Sequence, residues 1–254
     1  MIDEIGGAVP LSGSPTRVVS LVPSVTEAIA HTVPDVLVGI TDYCVHPAGL
    51  AATRVGGSKY PDVDRIVALR PDLVVANVEE NRRDDVERLR GAGIPVWVTA
   101  APESVPTALA SLRALFTRVF GVSVPAWLTR AGEVWNAVPP QRISVIVPVW
   151  RRPWVVLGRD TFAGDVLRRI GIGNAYADHA ERYPRPDIAE LRAKDVAGMV
   201  LPDEPYLFTD DDGPEAFPGR PYVLVSGRHL TWWGPSLVDA YPLLSVACQR
   251  LTMA

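Results

Sequence analysis

Arg17-Val18-Val19-Ser20-Leu21-Val22-Pro23-Ser24-Val25-Thr26-Glu27 decides how the rest of this chain is read. Residues 17–22 are a short, largely apolar run of the kind that forms a buried strand, and Pro23 closes it. Ser24 and Glu27 have the spacing of a capping box, in which Ser24 accepts from the amide three residues on and Glu27 reaches back. Strand, turn and capped helix together open an α/β unit.

The pattern continues outward. Residues 36–40 predict a second strand, which runs into the loop Thr41-Asp42-Tyr43-Cys44-Val45-His46-Pro47. Apolar residues at 63, 66, 67 and 69 predict a short helix after Pro61-Asp62, and Pro71-Asp72 turns the chain into a strand at 73–76. Glu79-Glu80-Asn81, a charged helix over 82–90 and a strand over 94–98 complete the first run. Alternating strands and helices predict a mostly parallel sheet.

A comparable block returns at 186–201, with Pro186-Asp187, a short helix, a basic-acidic turn and an apolar strand ending at Asp203-Glu204-Pro205. A further strand is expected at 222–225, and Ile143 opens the lobe over 143–147. The repetition reads as duplication of one α/β lobe, although two unrelated helix–turn–strand units would look alike. Between the blocks, residues 103–138 carry no strand signal and predict helices over about 104–120 and 123–137, stopped by Pro139-Pro140. Gly171 reads as a helix stop. The expectation is α/β: two Rossmann-like lobes, residues 1–102 and 141–254, with mostly parallel sheets. A rigid helical backbone over 103–140 joins them, and a ligand cleft lies between the lobes.

Composition narrows the function. The 254 residues are 48% hydrophobic and 21% charged, which is enough apolar material for a folded core. With 29 acidic against 25 basic residues the net charge is −4, which argues against a nucleic-acid partner and a polybasic membrane binder. Two cysteines, Cys44 and Cys248, make no disulfide framework. The N-terminus has neither the basic start and apolar core of a leader nor a lipidation cysteine. A cytoplasmic location is therefore expected, and an extracytoplasmic one only if a leader was removed.

The residues able to carry chemistry fall after strands. Trp150 and Trp154 flank Arg151-Arg152-Pro153, and Trp232-Trp233 lies in a loop rich in Gly, Pro and Arg. Tyr43, Tyr183 and Tyr206 occupy other loops. Such rings either plug the ends of a lobe or offer flat area to a macrocycle. Trp97, Trp127 and Trp135 follow strand or helix periodicity and are assigned to the core. Cys44, His46 and His229, with Glu79, Glu80 and Glu204, make a zinc-like set conceivable, although no Cys-x-x-Cys or His-Glu-x-x-His spacing occurs. His46 reads either as a hydrogen-bonded loop histidine or as one axial ligand to a metal already held in a macrocycle. No nucleophile elbow, Walker loop or post-strand Gly-x-Gly-x-x-Gly is present.

Residues 17–27, Val38-Gly39, the loop 43–47 and residues 65–74 closely resemble the cobalamin and ferric-siderophore solute-binding proteins, the helical-backbone metal receptors. Gly158-Arg159-Asp160-Thr161-Phe162 and Pro235-Ser236 are similar to that family's second lobe, so the resemblance spans about 15–251. It implies a non-catalytic, monomeric receptor of the class III periplasmic-binding-protein type, needing no cofactor. Its ligand would be a small-molecule metal chelate: cobalamin or another corrinoid, with haem or a ferric siderophore as alternatives. The cobalamin branch looks closest. By position it carries ligand contact to Tyr43, His46, Trp150, Trp154, Tyr183, Trp232 and Trp233. For such a ligand, the polar residues Glu79, Glu80, Arg159, Glu204 and Tyr206 are expected to read its amides. An ABC importer permease is the implied partner, although the docking neighbourhoods at 81–85 and 187–190 match imperfectly. Two other readings stand beside it. One is a metal-dependent hydrolase or corrinoid-processing enzyme using Cys44, His46 and His229, and the other is an interaction module.

Overall fold

The computed structural model describes residues 1–252 and divides the chain into two compact units. Unit 1 comprises Met1–Ala101 and Leu109–Thr129, and unit 2 comprises Pro102–Ala108 and Arg130–Ala254. The helical stretch between the strand-rich segments is thus shared out between the units rather than forming a third one.

In unit 1, β1 (Val18–Ser20) leads into α1 (Pro23–Thr32), then β2 (Leu37–Ile40) and β3 (Thr53–Arg54). α2 (Val63–Ala68), β4 (Leu73–Asn77), α3 (Arg83–Gly91) and β5 (Val96–Thr99) follow. The strands form one parallel sheet in the order β3-β2-β1-β4-β5. All five residues of β4 are buried, as a strand covered on both faces requires. Val19, Leu21, Val74, Ala76, Val96 and Val98 pack with Val63 and Ile66 of α2 and Val86 and Leu89 of α3. Each such valine, leucine or isoleucine contributes about 1.5–3 kcal/mol on burial.

The first helix begins two residues earlier than the capping box predicts. Val22 is the N-cap, Pro23 takes the first helical turn, and no side chain caps the helix. Proline lacks an amide hydrogen and has its φ preset, so it suits that position and displaces Ser24 inward. Ser24 and Glu27 are both buried within the helix.

α4 (Val105–Ala114) passes without a break into a π-helical turn over Leu115–Val119, and α5 (Ala126–Val134) follows. Of the three tryptophans assigned to the core, Trp97 and Trp135 are buried. Trp127 is only half-buried, packing edge-on to Phe116 and donating to Thr32 Oγ1 at 3.1 Å.

Unit 2 holds β6 (Ile143–Ile146), β7 (Pro148–Trp150), β8 (Val155–Val156), α6 (Phe162–Arg169) and β9 (Ile172–Asn174). α7 (Ile188–Ala193), β10 (Gly198–Pro202), β11 (Tyr222–Val225), α8 (Gly227–Thr231) and α9 (Leu237–Thr252) complete it. Its main sheet is parallel in the order β11-β10-β6-β9, and β7 and β8 form a separate antiparallel hairpin. Gly171, with φ +80°, ends α6 in the left-handed region as expected for a helix stop.

The sheets bear out the duplicated block. The order β2-β1-β4-β5 in unit 1 matches β9-β6-β10-β11 in unit 2. The helix before each central strand is capped alike: Asp62 accepts from the Arg65 amide at 2.9 Å, and Asp187 from the Glu190 amide at 2.8 Å. Among the described residues no helix is long and apolar enough to cross a membrane.

Candidate functional site

In a parallel sheet the loops leaving the carboxyl ends of the strands gather at one edge, where ligands of α/β proteins bind. In unit 1, two such loops carry residues singled out in the sequence. The one after β2 carries Tyr43, which is 65% exposed, and His46, which is half-buried. Arg54 fixes this loop by donating to the carbonyls of Thr41 at 2.6 Å and Cys44 at 3.0 Å.

Cys44 itself points inward and is fully buried. Its sulfur lies 3.0 Å from Thr26 Oγ1 and 3.1 Å from Thr41 Oγ1. Burial raises the thiol's pKa, and the two threonine hydroxyls offset this only in part. Cys248 is also buried, which pushes its pKa up to about 11. Neither thiol should react with a chromogenic disulfide reagent in the native protein, whereas both should after denaturation. Fast native labelling of Cys44 would show that the loop opens readily.

The acidic tip after β4 is built by two asparagines. Asn77 Oδ1 accepts from the amides of Glu79 at 2.9 Å and Glu80 at 3.3 Å. Its Nδ2 donates to Thr99 Oγ1 and to the Ala100 carbonyl, both at 3.0 Å. Asn81 Oδ1 accepts from the Asn77 amide at 2.7 Å, and its Nδ2 donates to the Ser58 carbonyl at 2.9 Å. Glu79 therefore sits exposed on a fully hydrogen-bonded turn, with Glu80 half-buried beside it. The sequence reading missed Asn77. Its signal was an asparagine closing an otherwise apolar strand, where its side chain can form an Asx turn.

Unit 2 brings its aromatics together more closely. Trp150, at the end of β7 and 45% exposed, meets Tyr206 edge-on with ring centres 5.5 Å apart. Tyr206 packs on Phe208 at 4.7 Å, and Phe208 stacks on Trp154 at 6.1 Å with planes 4° apart. Phe217 closes the cluster against Trp154 at 5.2 Å. Arg151 lies over the Trp154 ring at 5.3 Å and ion-pairs with both Asp212 and Glu215. Tyr206 donates to Asp212 at 2.6 Å, and that bond raises the phenol's pKa while lowering that of the carboxyl.

The hairpin tip is thus tied to residues 206–217 by charge and by ring contacts, and Trp150 stays exposed. Phe208, Phe217, Arg151 and Asp212 were missed as members of this group. Phe208 and Phe217 stand in an irregular segment with no strand or helix period, so only their aromatic type marked them.

A second crossing fixes Tyr183, which is exposed. The Gly158 amide donates to the Arg182 carbonyl at 2.7 Å, and the Val156 amide to the Pro184 carbonyl at 3.0 Å. Arg182 in turn donates to the Asp160 carbonyl, and the exposed Arg159 pairs with Asp160 at 2.5 Å. Glu204 is half-buried against Gly227, whose missing Cβ would fall 2.3 Å from Glu204 Cγ.

Trp232 and Trp233 depart from expectation. They are 7% and 4% exposed, buried rather than displayed. α8 is the reason: Ser226 caps it through the His229 amide at 3.4 Å, and Trp232 becomes its C-cap, turned into the core. His229 lies half-buried on α8. Among the described residues no three of His, Cys, Asp and Glu are grouped so as to hold a metal ion, and the set Cys44, His46 and His229 is not assembled.

This geometry has known counterparts. The family model described as periplasmic binding protein matches residues 18–118. The vitamin B12-binding protein of Vibrio campbellii is 23% identical over 208 residues, covering 75% of each chain. That of Vibrio cholerae serotype O1 is 31% identical over 186 residues, covering 70% of this chain and 67% of the relative. Among solved structures, the periplasmic heme-binding protein RhuT of Roseiflexus sp. RS-1 in apo form superposes with a TM-score of 0.74 at 19% identity. That alignment covers 94% of this chain and 100% of the other. The vitamin B12-binding protein BtuF of Vibrio cholerae gives 0.71 at 18% identity, covering 94% and 97%. These likenesses establish the fold, and with the 31% identity they show that this chain belongs to the periplasmic binding protein family.

Proposed function

We propose that this chain is a non-catalytic receptor for a flat metal chelate of the corrinoid class, serving as the solute-binding component of an ABC-type importer. The observation that carries the reading is the pair of accessible rings Trp150 and Tyr206 at the carboxyl end of the unit 2 sheet, backed by half-buried Trp154 and buried Phe208 and braced by Arg151. A braced ring platform binds a planar macrocycle with little loss of side-chain freedom, because its own rotamers are already fixed. The ligand class is supported by relatives named as vitamin B12-binding proteins, and the importer by a Bacillus subtilis relative named as an ABC transporter substrate-binding lipoprotein. Glu79 and Glu80, held by Asn77, are polar groups of unit 1 able to accept hydrogen bonds from amides. His46 is the proposed axial ligand.

Titration with hydroxocobalamin, followed by absorbance and calorimetry, tests this, with haemin and a ferric siderophore as comparators. Saturable micromolar or tighter binding is expected for hydroxocobalamin. Replacing Trp150 and Tyr206 together by alanine should weaken it by about tenfold or more. A spectral shift lost in His46→Ala would support axial ligation, and binding without any shift would remove that role. Preference for haemin would move the ligand class to porphyrins, and no binding of any of the three would overturn the reading.

A further inference from the structure

The duplicated topology makes β5 and β11 equivalent edge strands, yet the two edges are treated differently. An exposed strand edge is a template for another strand unless it is blocked. In unit 1 the N-terminal segment blocks β5. The Glu4 amide donates to the Val98 carbonyl at 3.2 Å, Asp3 accepts from the Val98 amide at 3.4 Å, and Glu4 accepts from the Ala100 amide at 2.9 Å. The other edges are guarded too. β3 has two residues, and Arg65 donates to the Arg54 carbonyl at 3.0 Å. β9 has three residues, with the Gln141 side chain lying over Gly173.

β11 has no such guard. Its partner β10 uses the carbonyls of Pro221 and Val225, which accept from the amides of Met199 at 2.9 Å and Asp203 at 3.1 Å. By the alternation of a strand, the amides and carbonyls of Tyr222 and Leu224 point away from the sheet. Among the described residues none hydrogen-bonds to them. Beside this edge runs a shallow groove of about 410 Å³, lined by Tyr222, Leu224, Val246 and Ala247, with Asp210 and Arg250 among its walls. Leu224 is 38% exposed and Val246, on α9, 64%.

We infer that β11 and the adjoining face of α9 form a two-fold interface with a second copy of this chain. Antiparallel pairing centred on Val223 sets Tyr222 of each copy opposite Leu224 of the other. Each copy then supplies the two amides and two carbonyls that its partner lacks. An isologous contact of this kind needs a self-complementary patch. The groove carries both signs of charge: Asp210, which accepts from Tyr222 Oη at 2.8 Å, and Arg250. Tyr222 against Leu224 is an aromatic–aliphatic cross-strand pair, a favourable combination in sheets. The interface lies within unit 2 and is independent of the ligand proposed above. It departs from the monomer expected from the sequence.

Sedimentation velocity of the full chain over a concentration series tests it. A reversible monomer–dimer equilibrium is expected. Leu224→Lys, which places a charge on the edge without disturbing a buried side chain, should raise the dissociation constant by about tenfold or more. Arg250→Glu should also dissociate the dimer, and salt should restore it by screening the resulting like charges. Circular dichroism and the melting temperature measured on dilute monomer should match the parent for both variants. A chain that stays monomeric at every concentration would overturn the proposal. So would a dimer indifferent to Leu224→Lys, or an edge that takes up only an added extended peptide.

Discussion

Alanine at position 158 is expected to lower the stability of unit 2 by about 2–3 kcal/mol and to displace Tyr183. The cause is lack of space. A Cβ on Gly158 would fall 2.0 Å from the Glu181 carbonyl oxygen, 2.8 Å from Pro184 Cδ and 3.0 Å from the Arg182 carbonyl oxygen. Two of the three obstacles are backbone, which cannot swing aside as the end of a long side chain would. Relief requires separating residues 181–184 from 156–158, at the expense of the Gly158–Arg182 and Val156–Pro184 hydrogen bonds. Urea unfolding measures the loss, and ligand titration shows whether the Tyr183 loop has moved. A midpoint equal to that of the parent would show that the two segments part without penalty.

Asp165→Asn is expected to cost about 3 kcal/mol or more near neutral pH. Asp165 is buried and accepts from Arg169 Nε at 2.7 Å and from the Val105 amide at 2.8 Å. Arg169, also buried, donates onward to the Trp135 carbonyl. One carboxylate thus ties the first turn of α4 to α6, while its arginine partner holds the end of α5. The amide cannot neutralise Arg169, so a buried guanidinium loses its counter-charge.

Burial by itself would raise the pKa of Asp165. The bonds from Arg169, Val105 and Arg168 outweigh it and hold the carboxyl below the ordinary carboxylate value. A depressed native pKa gives stability that is fully present above the unfolded value, near 4, and is lost as pH falls through the native value. The gap between parent and variant should therefore be widest at neutral pH and close in acid. A constant gap down to the acid transition would mean that Asp165 acts through shape alone.

Much of the fold was legible because its strands are buried on both faces. Leu73-Val74-Val75-Ala76 and Gly198-Met199-Val200-Leu201 read as strands since nothing polar interrupts them. Pro61-Asp62 and Pro186-Asp187 read as helix starts because the aspartate caps within three residues of itself. Local chemistry of this kind survives in sequence. The hairpin strands β7 and β8 and the strands β3 and β9 did not, since two or three residues carry no period. Ser24 was misplaced because two local rules competed, and the proline took the helix start.

The candidate site was legible only in part. The sequence displayed its tryptophans in loops but could not say which of them a later helix would bury. Trp150 stays at the surface because the hairpin ends there, while Trp232 and Trp233 go inside because α8 turns them inward. Arg151 meets Asp212 across 61 residues of chain, and no spacing rule spans that distance.

By itself the sequence determined the α/β order, the duplicated lobe and the family, because each rests on contacts between near neighbours or on the burial of whole strands. Tertiary structure alone decided which rings cluster, where Cys44 points and which sheet edge lies open. Those outcomes depend on long-range pairs: Asp3 and Glu4 across 95 and 96 residues at one edge, and an unguarded strand at the other.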